Sequence, residues 1–360
     1  MITMQDIVRK VGVSRAAVSH VLGNASGRST IRVSEKTRQK ILQTAKELSY
    51  RPNELARSVV TGKSKVVAFV ANKIQYDYSI RGLEGVMTQA NEMGYAVKVF
   101  QDLAPGQIDY IADQCISHRV CGVICSHFTN YEFLLDALLK ANIPIALPGA
   151  NSASASLSVL QARTDNQQGF DQAIAHLHGM GHQRIGMISG DMRSLDTTDR
   201  VEAFKQAMVK HQLEINSDSI MYAGEWEVGE AHICADRMLS QSSDCRPTAI
   251  CCASDILAMG VLRAARRLHL EVPKDLSVVG LGNMYVSELS DPPLTTIAQD
   301  DVTTGRTLFA RLVESSSDPT LSPTVIGAMH LIPRESTRPP PELNTSLSQQ
   351  SSLSSIASST

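Results

Sequence analysis

The sequence predicts two parts of different fold class: an α-helical helix-turn-helix headpiece (residues 1–50), then an α/β core (63–338) of two doubly wound parallel-sheet subdomains. Three observations support this prediction. Apolar residues recur at helical spacing through the headpiece, which indicates short amphipathic helices. Beyond residue 65, short apolar segments alternate with amphipathic helices, as in parallel sheets covered on both faces. The strand segments form two sets separated near residue 160, which favours two similar halves.

Charge divides the chain at a similar place. The 360 residues have a net charge of −2, but residues 1–65 hold 13 basic and four acidic side chains, which leaves −11 for the remainder. A basic module on a larger acidic body is typical of a nucleic-acid-binding domain attached to a second function, although a solvated charged face would give the same count. No secretory signal or membrane-spanning run is visible, so a soluble cytoplasmic protein is predicted.

Two helices are predicted within the first 22 residues. Thr3 can cap the first helix, with Asp6 three positions later as the capping partner. Gly12 ends this helix, and Ser14 caps a second one from Arg15 to Leu22. Two short helices joined by a glycine-containing turn are the helix-turn-helix pattern.

A third helix is predicted from Ser34 to about Leu48, and three such helices can enclose a small core. The side chains expected in that core are Ile7, Val8, Val11, Val18, Val21, Leu22, Ile41, Leu42, Ala45 and Leu48.

Segments of weaker pattern flank the core. Residues 51–62 contain Pro52, and Asn53 can cap a short helix that ends at Gly62. A helix of this length is marginal alone in water, so it should form only when something else stabilises it. Residues 339–360 begin with a proline run and are rich in serine, which predicts a disordered tail.

The core is predicted to alternate strands and helices. The predicted strands are Val66–Ala71, Ala96–Phe100, Gly122–Cys125, Ile143–Leu147, Arg184–Ser189, Ala249–Cys252 and Ser277–Leu281. The predicted helices are Ile80–Met93, Ile108–His118, Tyr131–Ala141, Asn166–Met180, Thr198–His211, Val228–Leu239 and Ile256–Leu268. Ligands of such sheets bind beyond the carboxyl ends of the strands, which predicts a cleft between the two halves.

Catalytic and metal-binding patterns are weak. The spacing of His178 and His182 could bring two imidazoles together, but no third ligand at a matching spacing is evident. None of the common nucleophile, zinc-protease or phosphate-loop motifs occurs. The apolar surroundings of Cys121, Cys125, Cys251 and Cys252 predict buried thiols. The sequence therefore predicts neither an enzyme nor a metal site.

Seven motifs in order carry a resemblance to a known family. They are MQDIVRKVGVSRAAVSHVLGN (4–24), KELSYRPN (46–53), DN (165–166), MGHQRI (180–185), VPKDLSVVG (272–280), PPLTT (292–296) and RES (334–336). Over residues 2–338 the chain resembles the lactose/purine repressor (LacI/GalR) family of bacterial transcription regulators. The resemblance implies a repressor with a DNA-binding headpiece, a hinge helix and a homodimeric core similar to periplasmic sugar-binding proteins.

The resemblance also implies what such a protein binds and where it acts. Its partners would be a pseudo-palindromic DNA operator and a small effector that changes operator affinity, and it needs no cofactor. It would act on the nucleoid. The domains would be a helix-turn-helix domain (1–50), a hinge (51–62), an effector-binding and dimerisation core (63–338) and the tail (339–360). The core would divide into 63–162 plus 293–323, and 163–292 plus 324–338.

The family pattern assigns DNA contacts to the second helix. Arg15, Ala16 and His20 would read base edges in the major groove, with Arg15 offering two hydrogen bonds to guanine. Ser14 and Ser19 would contact phosphates.

The hinge pattern assigns a second set of DNA contacts. Asn53 and Ala56 keep the family pattern, and Arg57 can reach phosphate. Val59 takes the wedge position, where leucine is usual, so its insertion into the minor groove is expected to be shallower.

Family effector contacts map onto the core cleft. Arg200 occupies the position of the cleft arginine, and Trp226, the only tryptophan, that of a stacking aromatic. Asp255 matches a common motif in which Ser254 replaces an effector-contacting asparagine. Gln299 matches another cleft position.

Two carboxylates that sugar-binding members use are replaced by Gly149 and Gly282. Asn283 can still hydrogen-bond a hydroxyl. The first cleft loop lacks the family's Asn-Pro-aromatic run, and Tyr76, Asp77 and Tyr78 are the expected substitutes there. These departures leave an unusual or anionic effector open, and a sugar or sugar derivative is the leading prediction. The competing interpretation, a solute-binding protein or sugar-processing enzyme on the same core fold, is disfavoured by the headpiece.

Overall fold

The computed structural model describes residues 2–22, 32–51, 64–71, 74, 76–101, 107–126, 132–148, 159–224, 226–315 and 324–341. The chain divides into two compact units, Met1–Lys65 and Val66–Thr360. The first holds the headpiece and the second holds the core, and each is described by itself. No described helix is both long and apolar enough to cross a bilayer.

The headpiece contains the three predicted helices: α1 (Met4–Val11), α2 (Arg15–Leu22) and α3 (Glu35–Glu47). The Asp6 carboxylate accepts hydrogen bonds from the backbone N–H and the hydroxyl of Thr3, at 2.8 and 2.7 Å. Gly12 ends α1 with φ +78°, in the left-handed region that glycine adopts without steric cost. The predicted N-cap position at Thr3, its partner Asp6 and the glycine turn are therefore confirmed.

The headpiece core is small. Its buried residues are Ile7, Val11, Val18, Val21, Ile41 and Ala45, with Val8, Leu22 and Leu48 partly buried around them. Leu42 was expected in this core but is 39% exposed. The inward stripe of α3 runs through Ile41, Thr44 and Ala45, and Leu42 lies about 100° around the helix from Ile41. Three short helices enclose only that one stripe.

The core consists of two lobes, each built on a six-stranded sheet. The first sheet has the order β11-β5-β4-β3-β1-β2, and all its neighbouring strands are parallel. Its strands are β1 (Val66–Ala71), β2 (Ala96–Gln101), β3 (Gly122–Ser126), β4 (Ile145–Pro148), β5 (Val159–Thr164) and β11 (Thr324–Gly327). The helices of this first lobe are α4 (Asp77–Met93), α5 (Gln107–Ser117), α6 (Glu132–Lys140) and α12 (Asp301–Ser315).

The second sheet has the order β12-β10-β9-β8-β6-β7, with β12 antiparallel to β10 and the other pairs parallel. Its strands are β6 (Ile185–Ser189), β7 (Ile220–Tyr222), β8 (Ala249–Cys252), β9 (Ser277–Leu281), β10 (Thr295–Gln299) and β12 (Met329–Ile332). The helices of this second lobe are α7 (Asn166–Gly179), α8 (Leu195–Lys210), α9 (Val228–Leu239), α10 (Asp255–Arg267) and α11 (Tyr285–Leu289).

The chain passes between the lobes three times, and the predicted assignment of β10 and β11 to the two subdomains is wrong. The crossings follow β5, follow β10 and lie between β11 and β12. Residues 293–323 were assigned to the first subdomain and 324–338 to the second, yet β10 belongs to the second sheet and β11 to the first. Both strands are short and carry threonine, and they resemble the loops beside them more than the buried apolar strands of the sheet centres.

The seven strands and seven helices predicted for the core are all present, with ends that differ by up to three residues. The strand predicted to begin at Ile143 begins at Ile145, where pairing with β3 starts. Three of the four thiols predicted to be buried are so, whereas Cys121 is half-buried. Burial raises the pKa of Cys125 and of Cys251 to about 12, so these thiols are inert packing groups.

Helices α4 and α12 of the first lobe cross in very close contact. A Cβ at Gly85 would lie 2.1 Å from the carbonyl oxygen of Val302, and one at Gly305 would lie 2.3 Å from that of Gly82. Glycine is therefore required at both positions for this crossing. The close contact fixes the N-terminal ends of the two helices, from which Arg81 and Asp301 extend toward the second lobe.

Candidate DNA and effector sites

One face of α2 is exposed and carries the predicted DNA contacts. Arg15, Ala16 and Ser19 are exposed and His20 is half-buried. Val18 and Val21 lie on the opposite face, in the headpiece core. The burial of that apolar pair leaves the predicted contacts facing solvent.

Ser14 has a structural task in addition to the predicted phosphate contact. Its Oγ accepts a hydrogen bond from the backbone N–H of Ala17 at 3.2 Å and so caps the N-terminus of α2. The hydroxyl proton can still be donated to an anion. A capped helix N-terminus beside an exposed arginine is a favourable place for a phosphate.

Two of the three acidic side chains in the described headpiece form ion pairs, and none of the three lies on α2. Asp6 pairs with Arg9 at 3.1 Å, and Glu47 pairs with Lys10 at 2.9 Å. The hydrogen bond from Lys10 lowers the pKa of Glu47. The hinge residues Asn53, Ala56, Arg57 and Val59, like Gly149 in the core, lie outside the described residues.

The core contains a cleft lined by both lobes. The first lobe contributes Phe69, Tyr78, Ser126, Arg163, Thr164 and Asp301, and the second contributes Asp196, Arg200 and Gln299. Three of the predicted effector residues, Tyr78, Arg200 and Gln299, therefore line one cavity. Burial raises the pKa of the Tyr78 phenol, which keeps it a neutral hydrogen-bond donor.

Arg200 lines the cavity, and Trp226, which is not one of the lining residues, packs against Arg200. The guanidinium carbon of Arg200 lies 5.3 Å from the Trp226 ring centroid, and Nη1 donates to the carbonyl of Ala253 at 2.8 Å. The Nε of Arg200 is buried and has no hydrogen-bond partner among the described residues. A Cβ at Gly190 would lie 2.3 Å from the Trp226 ring, so a glycine is needed there to accommodate the indole.

Tyr76 is placed beside Tyr78. Their ring centroids are 5.6 Å apart, and the rings are tilted by 39°. Tyr76 immediately precedes α4, whose first turn also carries Tyr78. Tyr78 lines the cavity, whereas Tyr76 lies outside the lining and against the Tyr78 ring.

Asp255 has a structural role in place of the predicted effector contact. It is fully buried and accepts hydrogen bonds from the Thr296 hydroxyl at 2.6 Å and the Met284 N–H at 2.7 Å. Burial raises its pKa to about 6. A Cβ at Gly280 would lie 2.1 Å from its Oδ1, so the glycine leaves room for this carboxyl. The side chain therefore fastens the 282–285 loop and lies outside the cleft lining.

Two further predicted effector contacts, Ser254 and Asn283, also hydrogen-bond other parts of the protein. The Ser254 Oγ accepts from the Leu257 N–H at 3.2 Å and caps α10. The Asn283 Oδ1 accepts from Arg334 at 2.7 Å, and neither residue lines the cleft. Motif position alone does not distinguish a side chain aimed at the cleft from one that bonds the adjacent loop.

Asp196, Arg163 and Asp301 are cleft residues that sequence reasoning missed. Asp196 lies four residues before Arg200 on α8, so helical spacing places both on one face. Arg163 lies near the carboxyl end of β5, where ligands of parallel sheets are expected. Asp301 begins α12, directly after the strand that ends at Gln299.

The histidine pair with metal-like spacing has other bonds. His182 is buried and bonds the Thr248 hydroxyl and the Arg338 carbonyl, both at 2.8 Å. His178 packs against His211 with ring centroids 6.0 Å apart. His182 therefore fastens the end of the described chain to the second lobe.

Comparisons with known proteins agree with this architecture. Residues 3–53 match the family described as bacterial regulatory proteins, lacI family, and residues 174–337 match the periplasmic binding protein-like domain. The HTH-type transcriptional repressor PurR of Histophilus somni (strain 2336) is 30% identical over 326 residues, covering 88% of this chain and 94% of that protein. PurR of Vibrio cholerae (strain M66-2) is 28% identical over 324 residues, covering 88% and 92%.

Solved structures show the same fold. A lac repressor dimer bound to operator and the anti-inducer ONPF has a TM-score of 0.77 at 24% identity, covering 94% of this chain and 99% of that one. The complex of the transcriptional regulator CelR with cellobiose has a TM-score of 0.69 at 24% identity, covering 93% and 100%. With its helix-turn-helix headpiece and two-lobed core, the chain belongs to the LacI family and is an effector-regulated, DNA-binding transcriptional repressor.

Proposed function

We propose that α2 reads the operator through Arg15, Ala16 and His20, while Ser14 and Ser19 hold phosphates. The observation that carries this proposal is the exposed face of α2 opposite the buried Val18 and Val21. An arginine on the first turn of a recognition helix can donate two hydrogen bonds to a guanine edge in the major groove. Repressors of this family act as dimers, so two copies of α2 would meet the two halves of a pseudo-palindrome.

The proposed contacts in the hinge supplement those of α2. In this proposal Asn53, Ala56 and Arg57 lie along the minor groove, and Val59 enters the central base step. Insertion costs unstacking energy, which the additional contacts to bent DNA offset. The repressor is proposed to act in the cytoplasm, on the nucleoid.

The effector is proposed to be a sugar or sugar derivative bound in the cleft. Hydroxyl groups need both donors and acceptors, and the cleft offers the Arg200 guanidinium, the Asp196 carboxylate and the Gln299 amide. Trp226, beside Arg200, supplies a flat apolar surface of the kind that sugar ring faces pack against. The buried Arg200 Nε, which has no partner among the described residues, is available to an acceptor on the effector.

A nucleobase is the second candidate. The aromatic rings of Tyr76, Tyr78 and Trp226 near the cleft favour a planar ligand, because stacking is strongest between flat faces. The two candidates differ in what they demand of the cleft, since a sugar presents hydroxyls that both donate and accept, whereas a nucleobase gains most from a flat aromatic face.

A thermal-shift screen of the full-length protein against sugars, sugar phosphates, nucleobases and nucleosides tests the effector class. A true effector should raise Tm by mass action and change Trp226 fluorescence, and it should alter operator affinity. Asp196→Asn and Arg200→Gln should each weaken binding of a polyhydroxylated effector, because each removes a charged hydrogen-bonding group from the cleft. If sugars leave Tm and operator affinity unchanged while a nucleobase changes them, the sugar proposal is wrong.

A further inference from the structure

Two side chains of α4 in the first lobe bond the backbone of a loop in the second lobe. Arg81 donates from Nη1 to the Asn283 carbonyl at 2.8 Å and from Nη2 to the Gly282 carbonyl at 2.5 Å. Asp77, one turn earlier on α4, accepts from the Tyr285 N–H at 2.6 Å. We call these three hydrogen bonds, from Asp77 and Arg81 to residues 282–285, the interlobe clasp.

The first-lobe side of the clasp is held in place by contacts within the first lobe. The Arg81 side chain is 25% exposed and pairs with Asp301, which is 7% exposed, at 2.9 Å. Asp301 begins α12, and the glycine-mediated crossing of α4 with α12 fixes the two helices relative to each other. The guanidinium is therefore positioned for its backbone acceptors, so that little side-chain entropy is lost when the bonds form.

The second-lobe side of the clasp is also held. The Met284 N–H bonds the buried carboxyl of Asp255, and the Asn283 side chain accepts from Arg334. Gly282 and Asn283 have φ values of +123° and +47°, and this backbone turns their carbonyls toward Arg81. The family resemblance implies an effector-binding acid at this position, and Gly282 replaces it in this sequence. In the structure the position supplies a backbone acceptor for a protein side chain.

The clasp is linked to the lining of the cleft. The Gln299 amide donates to the Asp301 Oδ1 at 2.7 Å, and both residues line the cavity. Asp301 thus contacts a cleft residue of the second lobe through one oxygen and Arg81 through the other. A ligand that competes for Gln299 or Asp301 would change the partners of Arg81.

We propose that the interlobe clasp holds the two lobes together across the cleft before any effector binds, with Asp77 and Arg81 as positioning residues. Charge-assisted bonds from a partly buried guanidinium are stronger than neutral hydrogen bonds at the surface. The clasp thereby sets the resting distance between the lobes, and the effector acts on that equilibrium through Asp301. This assignment extends the established regulation by an effector and requires no particular effector chemistry.

Hydrogen exchange and fluorescence quenching of the full-length, effector-free protein test the proposal. Arg81→Gln does not alter Asp77, which accepts the hydrogen bond from the Tyr285 N–H. Faster exchange of the Tyr285 amide in this variant therefore reports separation of the lobes, because the acceptor of that amide is still present. We expect about fivefold faster exchange there in Arg81→Gln, because exchange follows the population of the open state. Acrylamide quenching of Trp226 should rise in Arg81→Gln and Asp77→Ala, because the cleft admits the quencher more often.

Arg306→Gln is the matched control. Arg306 pairs with Glu92 at 2.7 Å between the same two helices, but this pair is exposed and lies within the first lobe. Arg306→Gln should therefore leave the Tyr285 exchange rate and Trp226 quenching at their wild-type values. Arg81→Lys keeps the positive charge beside Asp301 but loses the two-pronged guanidinium that bonds both carbonyls. Its Tyr285 exchange rate and Trp226 quenching should lie between those of wild type and Arg81→Gln.

The proposal is overturned if Arg81→Gln and Asp77→Ala, both folded by circular dichroism, match wild type in both measurements. Should Arg81→Gln fail to fold, Arg81→Lys and Asp77→Ala decide the question on the same readouts. Neither measurement involves DNA or an effector, so a negative result leaves the function as a regulated repressor untouched.

Discussion

The headpiece and the core reach their structures by different physical routes. Over its described residues, the headpiece encloses six buried hydrophobic side chains between three helices, and its helix caps are bonds between residues three apart in sequence. The second lobe of the core alone packs 35 buried hydrophobic residues in one cluster, on a sheet whose neighbouring strands are separated by whole helices. The comparison teaches that local signals specify the DNA-reading part, whereas the effector part depends on distant segments meeting correctly.

The largest test of this division is removal of residues 1–62. We expect complete loss of specific operator binding, because α2 and the hinge residues are removed with them. The remaining chain begins before β1 and retains both sheets, so its thermal unfolding and its effector binding should persist. A gel-shift assay measures the loss of operator binding, and calorimetry measures the retained thermal unfolding and effector binding. Operator binding by the truncated chain would contradict the division of tasks.

A cavity in the headpiece sharpens the comparison. Ile41→Ala removes a fully buried side chain from a six-residue core and should cost ~2–5 kcal/mol of headpiece stability. A domain this small has little stability to lose, so operator binding should fall with it. The neighbouring variant Leu42→Ala removes a 39% exposed side chain and should cost less than ~1 kcal/mol. Equal losses in the two variants, measured by urea unfolding, would contradict the observed burial.

Protonation of Asp255 should make the unfolding free energy of the core depend on pH. Burial raises the Asp255 pKa from 3.8 to about 6, so the folded state keeps this proton after the unfolded state has lost it. Its stabilising effect is complete below pH 3.8 and is lost as pH rises to about 6, a change of up to ~3 kcal/mol. Asp255→Asn has no such titration.

The measurement is the difference in core unfolding free energy between wild type and Asp255→Asn at pH 4 to 7. Wild type should lose stability relative to the variant as the pH rises through this window. Carboxylates whose pKa is lowered, such as Asp171 beside Lys210, act in the opposite direction in both proteins and cancel in the difference. A difference that does not change with pH would show that Asp255 is ionised throughout.

The smallest of these effects concerns sequence reading. Arg15→Ala should weaken the specific operator complex by ~1–3 kcal/mol and relax the preference for one base pair. Arg9→Ala, which removes an exposed arginine of α1 paired with Asp6, is the control and should leave base preference unchanged. Fluorescence anisotropy on the native operator and a single-base variant measures both. Loss of affinity for both DNAs by equal amounts would reassign Arg15 to a phosphate.

Local chemistry explains why most of the headpiece could be predicted. The Thr3–Asp6 cap, the Gly12 turn and the inward stripes depend on neighbours within four residues. Only Leu42 was wrongly predicted to be buried. Helical periodicity identifies the apolar face of α3 but not how many of its side chains the other two short helices can cover. The core's central strands were found for a related reason, since buried parallel strands such as β1 are continuous apolar runs.

The parts that could not be predicted depend on long-range partners. The assignment of β10 and β11 to opposite sheets follows from which neighbours they pair with 16 and about 160 residues away. The cleft was partly found, through Tyr78, Arg200 and Gln299. Asp255 was misassigned because its partners, Thr296 and Met284, are about 30 to 40 positions away, and nothing at its own position reveals them.

The threefold passage of the chain between the lobes has a consequence for biosynthesis. The first lobe is not a continuous stretch: its sheet is completed by β11 and one of its faces is covered by α12, both near the end of the described chain. A ribosome therefore finishes the second lobe's first five strands before the first lobe can close. Throughout that interval the backbone edge of β5 that later pairs with β11 has no partner strand. Premature termination before residue 324 would therefore expose a strand edge that favours aggregation.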